Sequence, residues 1–112
     1  MSIGTFKEAQ EAVKDFADRN GWEDVPNIDK FDHLHEELIE ISQHLRYKTT
    51  EEMVAYIAEN KEIFVGEMGD MIFGLCRLAN QLSVDLEEGF NLTNEKVAKK
   101  YDNTGTENKI VS

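Results

Sequence analysis

Apolar residues recur at helical spacing along almost the whole chain, and each recurrence ends at a stop or start signal. From about residue 4 to 19, Ile3, Phe6, Ala9, Val13, Phe16 and Ala17 mark one apolar side of a predicted first helix. Asn20-Gly21 ends it, because glycine tolerates the left-handed conformation common after helices. GWEDVPN then reads as a loop, with Pro26 barring continuation. A second helix is predicted over roughly 28–46, where Phe31, Leu34, Leu38, Ile41 and Leu45 alternate spacings of three and four. Thr49 with Glu52 offers a capping box for a short helix to about Glu59. Residues 61–82 follow as a long helix with a second seam of Phe64, Met68, Met71, Leu75, Leu78 and Leu82. Asp85 with Glu88 suggests the cap of a last helix over about 85–100. The expected class is all-α, a bundle of four to five helices in one domain over 1–101, with 102–112 as a frayed tail.

Composition narrows what such a bundle can do. With 23 acidic against 12 basic residues the net charge is −11, which argues against sequence-independent binding of DNA or RNA. A small phosphorylated ligand stays compatible when a cation mediates the contact. The single cysteine, Cys76, lies in the apolar run MIFGLCRLANQL and is expected to be a buried structural thiol. The amino-terminal residues lack a signal-peptide layout, and no apolar run reaches membrane-spanning length, so no membrane association and a cytoplasmic location are expected. Asn91-Leu92-Thr93 fits a glycosylation sequon, read in this context as chance.

The chemistry concentrates in HLHEELIE, residues 33–40, where three glutamates fall within five positions. Glu37 and Glu40 project from adjacent turns of one face, with Glu36 four before Glu40. The long helix repeats the device in GEMGDM, with Glu67 and Asp70 three apart. Two readings are open: a solvated acidic face, or four to five carboxylates directed into one volume. In the second, like charges raise one another's pKa and resist ionisation unless a hard cation neutralises them. Oxygen-only donors select Mg²⁺ or Mn²⁺ over zinc. Gly66 and Gly69 add to that reading, since glycine costs up to ~1 kcal/mol relative to alanine inside a helix. Their presence suggests close approach of another backbone or of a ligand.

Glu36-Glu37-Leu38-Ile39-Glu40, followed after 26 residues by Glu67-Met68-Gly69-Asp70, resembles the EExxE…ExxD signature of MazG-like all-α NTP pyrophosphohydrolases. The likeness extends upstream to FADRNGWEDV and downstream through LANQLSVDLEEGF to NEKVAKKY, about residues 6–101. It implies a helical fold completed by dimerisation, in homodimers or homotetramers, and hydrolysis of (d)NTPs to the monophosphate and pyrophosphate, a nucleotide-pool house-cleaning reaction. Carried over by position, it implies Glu37, Glu40, Glu67 and Asp70 as Mg²⁺ ligands. Glu36 would contact a second metal or position the attacking water, and Glu40 counts with it as a catalytic residue. Lys96 and Lys100 would neutralise phosphate oxygens, Asn94 would hydrogen-bond phosphate or sugar, and Trp22 would stack on the base. Lysine stands at position 100 where the family often has arginine, which removes a bidentate phosphate contact.

Other residues carry plainer readings beside these. Trp22 serves equally as a packing residue. His33 and His35 are two apart and so on different faces, and HEELI is not HExxH, so with His44 they read as surface groups or as neighbours of the ligating residues rather than as zinc ligands. Arg77 reads as a surface or interface salt bridge, with reach to a substrate as the alternative, and Lys96, Lys99 and Lys100 near a helix end also suit its dipole. Lys61 stands where the family often has a basic residue. Two other functions compete: a carboxylate-bridged di-iron or di-manganese bundle, which lacks the needed Glu-x-x-His pairs, and a non-enzymatic acidic module for a basic partner.

Overall fold

A computed structural model describes residues 4–101. The predicted tail, 102–112, and the predicted apolar contribution of Ile3 lie outside the described residues. Within them the chain forms five helices: α1 Phe6–Arg19, α2 Ile28–Gln43, α3 Thr50–Glu59, α4 Lys61–Leu82 and α5 Leu86–Tyr101. None of these is long and apolar enough to cross a membrane.

The ends of the helices are set by local chemistry. Thr5 and Glu8 form a full capping box on α1, and Thr49 and Glu52 another on α3. Asp85 accepts from the backbone N–H groups of Glu87 and Glu88 at the start of α5. At the end of α1, Gly21 takes φ +73°, Trp22 N–H donates to the Ala17 carbonyl at 2.9 Å, and Gly21 N–H donates to the Asp18 carbonyl at 3.3 Å. That is the paired bonding of a Schellman motif, and its apolar contact is Trp22 on Phe16, ring centroids 5.3 Å apart. The cap therefore fixes where Trp22 leaves the helix.

The predicted end of the second helix is corrected. It stops at Gln43, three residues before the expected 46, and His44–Tyr47 form a turn in which Tyr47 has φ +65°. Leu45 continues the apolar period, but it does so from the turn. Because the helix stops there, His44 turns toward α3 and α4, where its ring meets Tyr56 and Phe64.

α4 is the central element, packed by α2 and α1 along its length and by α3 near its start; α5 packs mainly on α1. Gln10 ties these together, donating to Asn80 Oδ1 and to the Val84 carbonyl and accepting from Leu86 N–H. Among the described residues the buried apolar ones are Val13 and Ala17 of α1 and Cys76, Leu78 and Ala79 of α4, so the core sits where those two helices cross. Burial of Cys76 bears out the structural reading of that thiol.

The predicted seams divide rather than bury as units. On α2, Leu34, Ile41 and Leu45 are half-buried while Phe31 and Leu38 stay exposed. On α4, Phe64, Met71 and Leu78 turn inward, whereas Met68, Leu75 and Leu82 face outward with Val65 and Ile72. The reason is that α4 is apolar on two sides, and α1 and α2 cover only one. The Cα radius of gyration, 17.5 Å, accords with this openness, since a compact chain of this length is expected near ~13 Å.

Candidate functional site

α2 and α4 run antiparallel in a register set by two contacts. Leu34 of α2 lies against Gly74 of α4, and His44, just past α2, reaches Glu67 near the start of α4. A Cβ at Gly74 would stand 2.8 Å from Leu34 Cδ1, so glycine lets the helices come this close. Gly66 and Gly69 have open space instead, which corrects the expectation of a close approach there within this chain.

That register brings Glu37 and Asp70, one from each acidic motif, to the wall of one cavity. A cavity of about 460 Å³ opens between the helices, lined from α2 by Lys30, His33, Leu34 and Glu37 and from α4 by Asp70, Phe73, Gly74 and Arg77. Each set is a single helical stripe at spacings of three, four and seven. The cavity is consequently bipolar. Glu37 and Asp70 make an acidic end, and Lys30, Arg77, Phe73 and the loop residue Trp22 make a cationic and aromatic end.

At the second end, Arg77 is buried and donates through Nη1 to Asp24 Oδ1 at 2.9 Å, while its guanidinium lies 5.0 Å from the Trp22 ring centroid. Phe73 meets Phe16 edge-on at 6.1 Å, closing the aromatic wall. Asp24 Oδ2 is buried without a hydrogen-bond partner. The sequence reading of Arg77 as a salt-bridge residue is right in kind, but the pair is buried, with Arg77 on the cavity wall. The sequence does not single out Asp24, since a lone aspartate in a loop carries no signal of a partner 53 positions away.

At the acidic end, His33 Nε2 lies 3.5 Å from Glu37 Oε2. Glu67 Oε2 is 3.0 Å from His44 Nε2, and its other oxygen, Oε1, is buried with no partner. His33 lines the cavity beside Glu37, His44 touches Glu67 from the turn after α2, and His35 is exposed. Glu36 and Glu40 are exposed on α2. Lys96 lines a separate depression with Leu92, Glu95 and Lys99, and the Lys100 ammonium lies 5.3 Å from the Tyr101 ring. Asn94 is exposed on the same helix, so none of the three expected α5 residues lines the α2–α4 cavity.

The donor set is of the kind a hard cation takes: four carboxylates on facing helices, one with a buried oxygen left without a hydrogen-bond partner among the described residues. Among the described residues, however, no three His, Cys, Asp or Glu side chains are gathered into a group that could hold a metal ion. Glu67 turns one oxygen to His44 and Glu40 points to solvent, leaving Glu37 and Asp70 as the pair on the cavity wall.

Fold and site together define an all-α helical protein with a carboxylate-lined cavity between antiparallel helices. No protein-family model matches the chain, and no solved structure matches it. The chain is similar to the uncharacterised protein YvdC of Bacillus subtilis (strain 168), 28% identical over 100 residues that cover 85% of this chain and 94% of that protein.

Proposed function

We propose that the protein is a Mg²⁺-dependent nucleoside triphosphate pyrophosphohydrolase of the MazG-like all-α kind, releasing pyrophosphate from (d)NTPs. The observation that carries this reading is that Glu37 and Asp70, from different helices, line one cavity whose other end holds Trp22 and Arg77. A nucleotide has the matching polarity, a cation-bound phosphate chain at one end and a planar base at the other.

In this reading Glu37, Glu40, Glu67 and Asp70 hold Mg²⁺, with Mn²⁺ as a substitute. The cation supplies charge neutralisation at the phosphate oxygens. Glu36 and Glu40, exposed beside the acidic end, would accept hydrogen bonds from the attacking water and orient it. Trp22 offers its indole to the base, and Arg77, held by Asp24, presents its remaining N–H donors nearby. Lys96, Lys100 and Asn94 lie outside the cavity of one chain, so the reading gives them a role only across a subunit boundary.

A homodimer or homotetramer is part of the proposal. Val65, Met68, Ile72, Leu75 and Leu82 repeat at three and four along the outer side of α4, with Met68 56% and Ile72 54% exposed. Gly66 and Gly69 leave the backbone open beside them. A panel of canonical and modified (d)NTPs, assayed with Mg²⁺ and Mn²⁺, tests the function. Monophosphate and pyrophosphate from at least one substrate, abolished in Glu40→Gln, is the expected result. Absence of pyrophosphate from every nucleotide overturns the reading.

A further inference from the structure

At the cationic end of the cavity, stacking and hydrogen bonding contribute differently. Every base has a π-face, so an indole alone accepts all of them. Trp22 therefore gives this end affinity for a planar ring without choosing which ring. The choice falls to polar groups that meet the edge of the base. Arg77 is the buried one, its side chain 10% exposed, and it lines the cavity with Trp22 and Phe73. Its guanidinium lies over the Trp22 ring, 5.0 Å from the centroid, so a base resting on the indole sits alongside it.

Which donors remain follows from the buried ion pair. Nη1 donates to Asp24 Oδ1 at 2.9 Å, the one hydrogen bond of Arg77 among the described residues. Nε and Nη2 are left without an acceptor there, and neither is among the buried atoms sealed off from any partner. These two nitrogens form a parallel N–H fork that is rigid, always charged and donor-only. Two acceptors side by side meet such a fork best. Guanine offers that pair in O6 and N7, and cytosine offers it in N3 and O2. In adenine, thymine and uracil a donor or a carbon group stands beside each acceptor.

We infer that Arg77 is a specificity-determining residue whose Nε and Nη2 fork selects a nucleobase with two adjacent acceptors, guanine or cytosine. This deepens the proposed function and rests on it for the phosphate end of the ligand. Asp24 orients the fork, since it takes Nη1 and leaves Nε and Nη2 to the base. A buried fork left unmet by the wrong base is what rejects adenine and thymine. A purely structural ion pair is the competing account. It holds the loop equally well whatever base is offered, so base preference separates the two.

The test is binding of deoxynucleoside monophosphates to the full chain, without added metal, followed by NMR. Trp22 is the single tryptophan of the chain, so one indole N–H resonance reports on this end of the cavity. The tighter of dGMP and dCMP is expected to bind about 10-fold or more tighter than dAMP and dTMP, within the range for one bidentate base contact. 7-Deaza-dGMP and 3-deaza-dCMP each replace one acceptor of the pair by a C–H, and are expected to lose that advantage on the unaltered chain. Arg77→Lys keeps the charge beside Asp24 without the fork, and is expected to abolish the preference, with circular dichroism as the check of folding. The inference is overturned by dAMP or dTMP binding as tightly as both dGMP and dCMP, or by a Trp22 resonance that none of the four moves. Unchanged affinity for the deaza analogue of the preferred base also overturns it, as does a folded Arg77→Lys that keeps the preference. If Arg77→Lys does not fold, the deaza analogues decide. Equal kcat/KM for pyrophosphate release from all four dNTPs overturns this inference and leaves the proposed function standing. Selective binding without pyrophosphate release overturns the proposed function and leaves the selection by Arg77 standing.

Discussion

Arg77 of α4 reaches the loop after α1 and donates to Asp24 at 2.9 Å, with both side chains about nine-tenths buried. Removing one partner of such a pair leaves a buried charge uncompensated. Asp24→Ala is therefore expected to cost about 3 kcal/mol in urea unfolding, a large share of a domain's total stability. Combining Asp24→Leu with Arg77→Met is expected to lose less than Asp24→Ala alone, since no unpaired charge remains. A double variant as unstable as the single one contradicts this account of the pair.

Gly74 and Gly69 are both helical, yet their surroundings differ. Gly69→Ala meets open space and is expected to stabilise the fold by roughly 0.5–1 kcal/mol through helix propensity. Gly74→Ala sets a methyl 2.8 Å from Leu34 Cδ1, and moving Leu34 offsets that gain by about 1 kcal/mol or more. Chemical denaturation at matched protein concentration is expected to rank Gly69→Ala above Gly74→Ala. The reverse order would show that α2 is not seated on Gly74.

The capping box of α1 makes a pH-dependent contribution. The Glu8 carboxylate accepts from the backbone N–H of Gly4 and then of Thr5, and these bonds hold its pKa below the usual glutamate range. A lowered folded pKa stabilises the fold above the unfolded value, and the contribution disappears as pH falls through the folded one. An NMR titration should place the Glu8 midpoint below that of a model peptide, with the Gly4 and Thr5 amides shifting along the same curve. A midpoint at the model-peptide value would mean the box does not persist in solution.

The uncovered side of α4 predicts self-association. Sedimentation is expected to give a dimer or larger species for the unaltered chain and a monomer for Ile72→Glu, with helical content unchanged because Ile72 is exposed within one chain. An unaltered chain that sediments as a monomer would remove the subunit boundary at which Lys96 and Lys100 are proposed to act.

What could be read from sequence divides along the distance over which each feature is determined. Helix starts at Thr49 and Asp85, and the stop at Asn20-Gly21, depend on bonds spanning a few residues, and those signals stand in the text of the chain. The end of α2 was not legible in this way, because a left-handed Tyr47 carries no residue signature and Leu45 prolongs the apolar period. At the site, spacing alone put Glu37 with Glu40 and Glu67 with Asp70 on one face each. The contacts beside them, Arg77 with Asp24 and His44 with Tyr56 and Glu67, are joined only by tertiary packing. The glycines show the same limit. Their cost to the helix is visible in sequence, but which of them a neighbour needs is decided by register, and it is Gly74.

The central claim is that Glu37 and Asp70 act together on a nucleoside triphosphate. Phosphorus NMR of the best substrate with Mg²⁺, run for the unaltered chain, Glu37→Gln, Asp70→Asn and the double variant, tests it most directly. The account predicts monophosphate and pyrophosphate from the unaltered chain. It predicts a loss of at least about 100-fold in kcat/KM for each single variant, and little further loss in the double, as for residues that work as a unit. Turnover by either single variant at the unaltered rate, or no turnover by the unaltered chain, would contradict it.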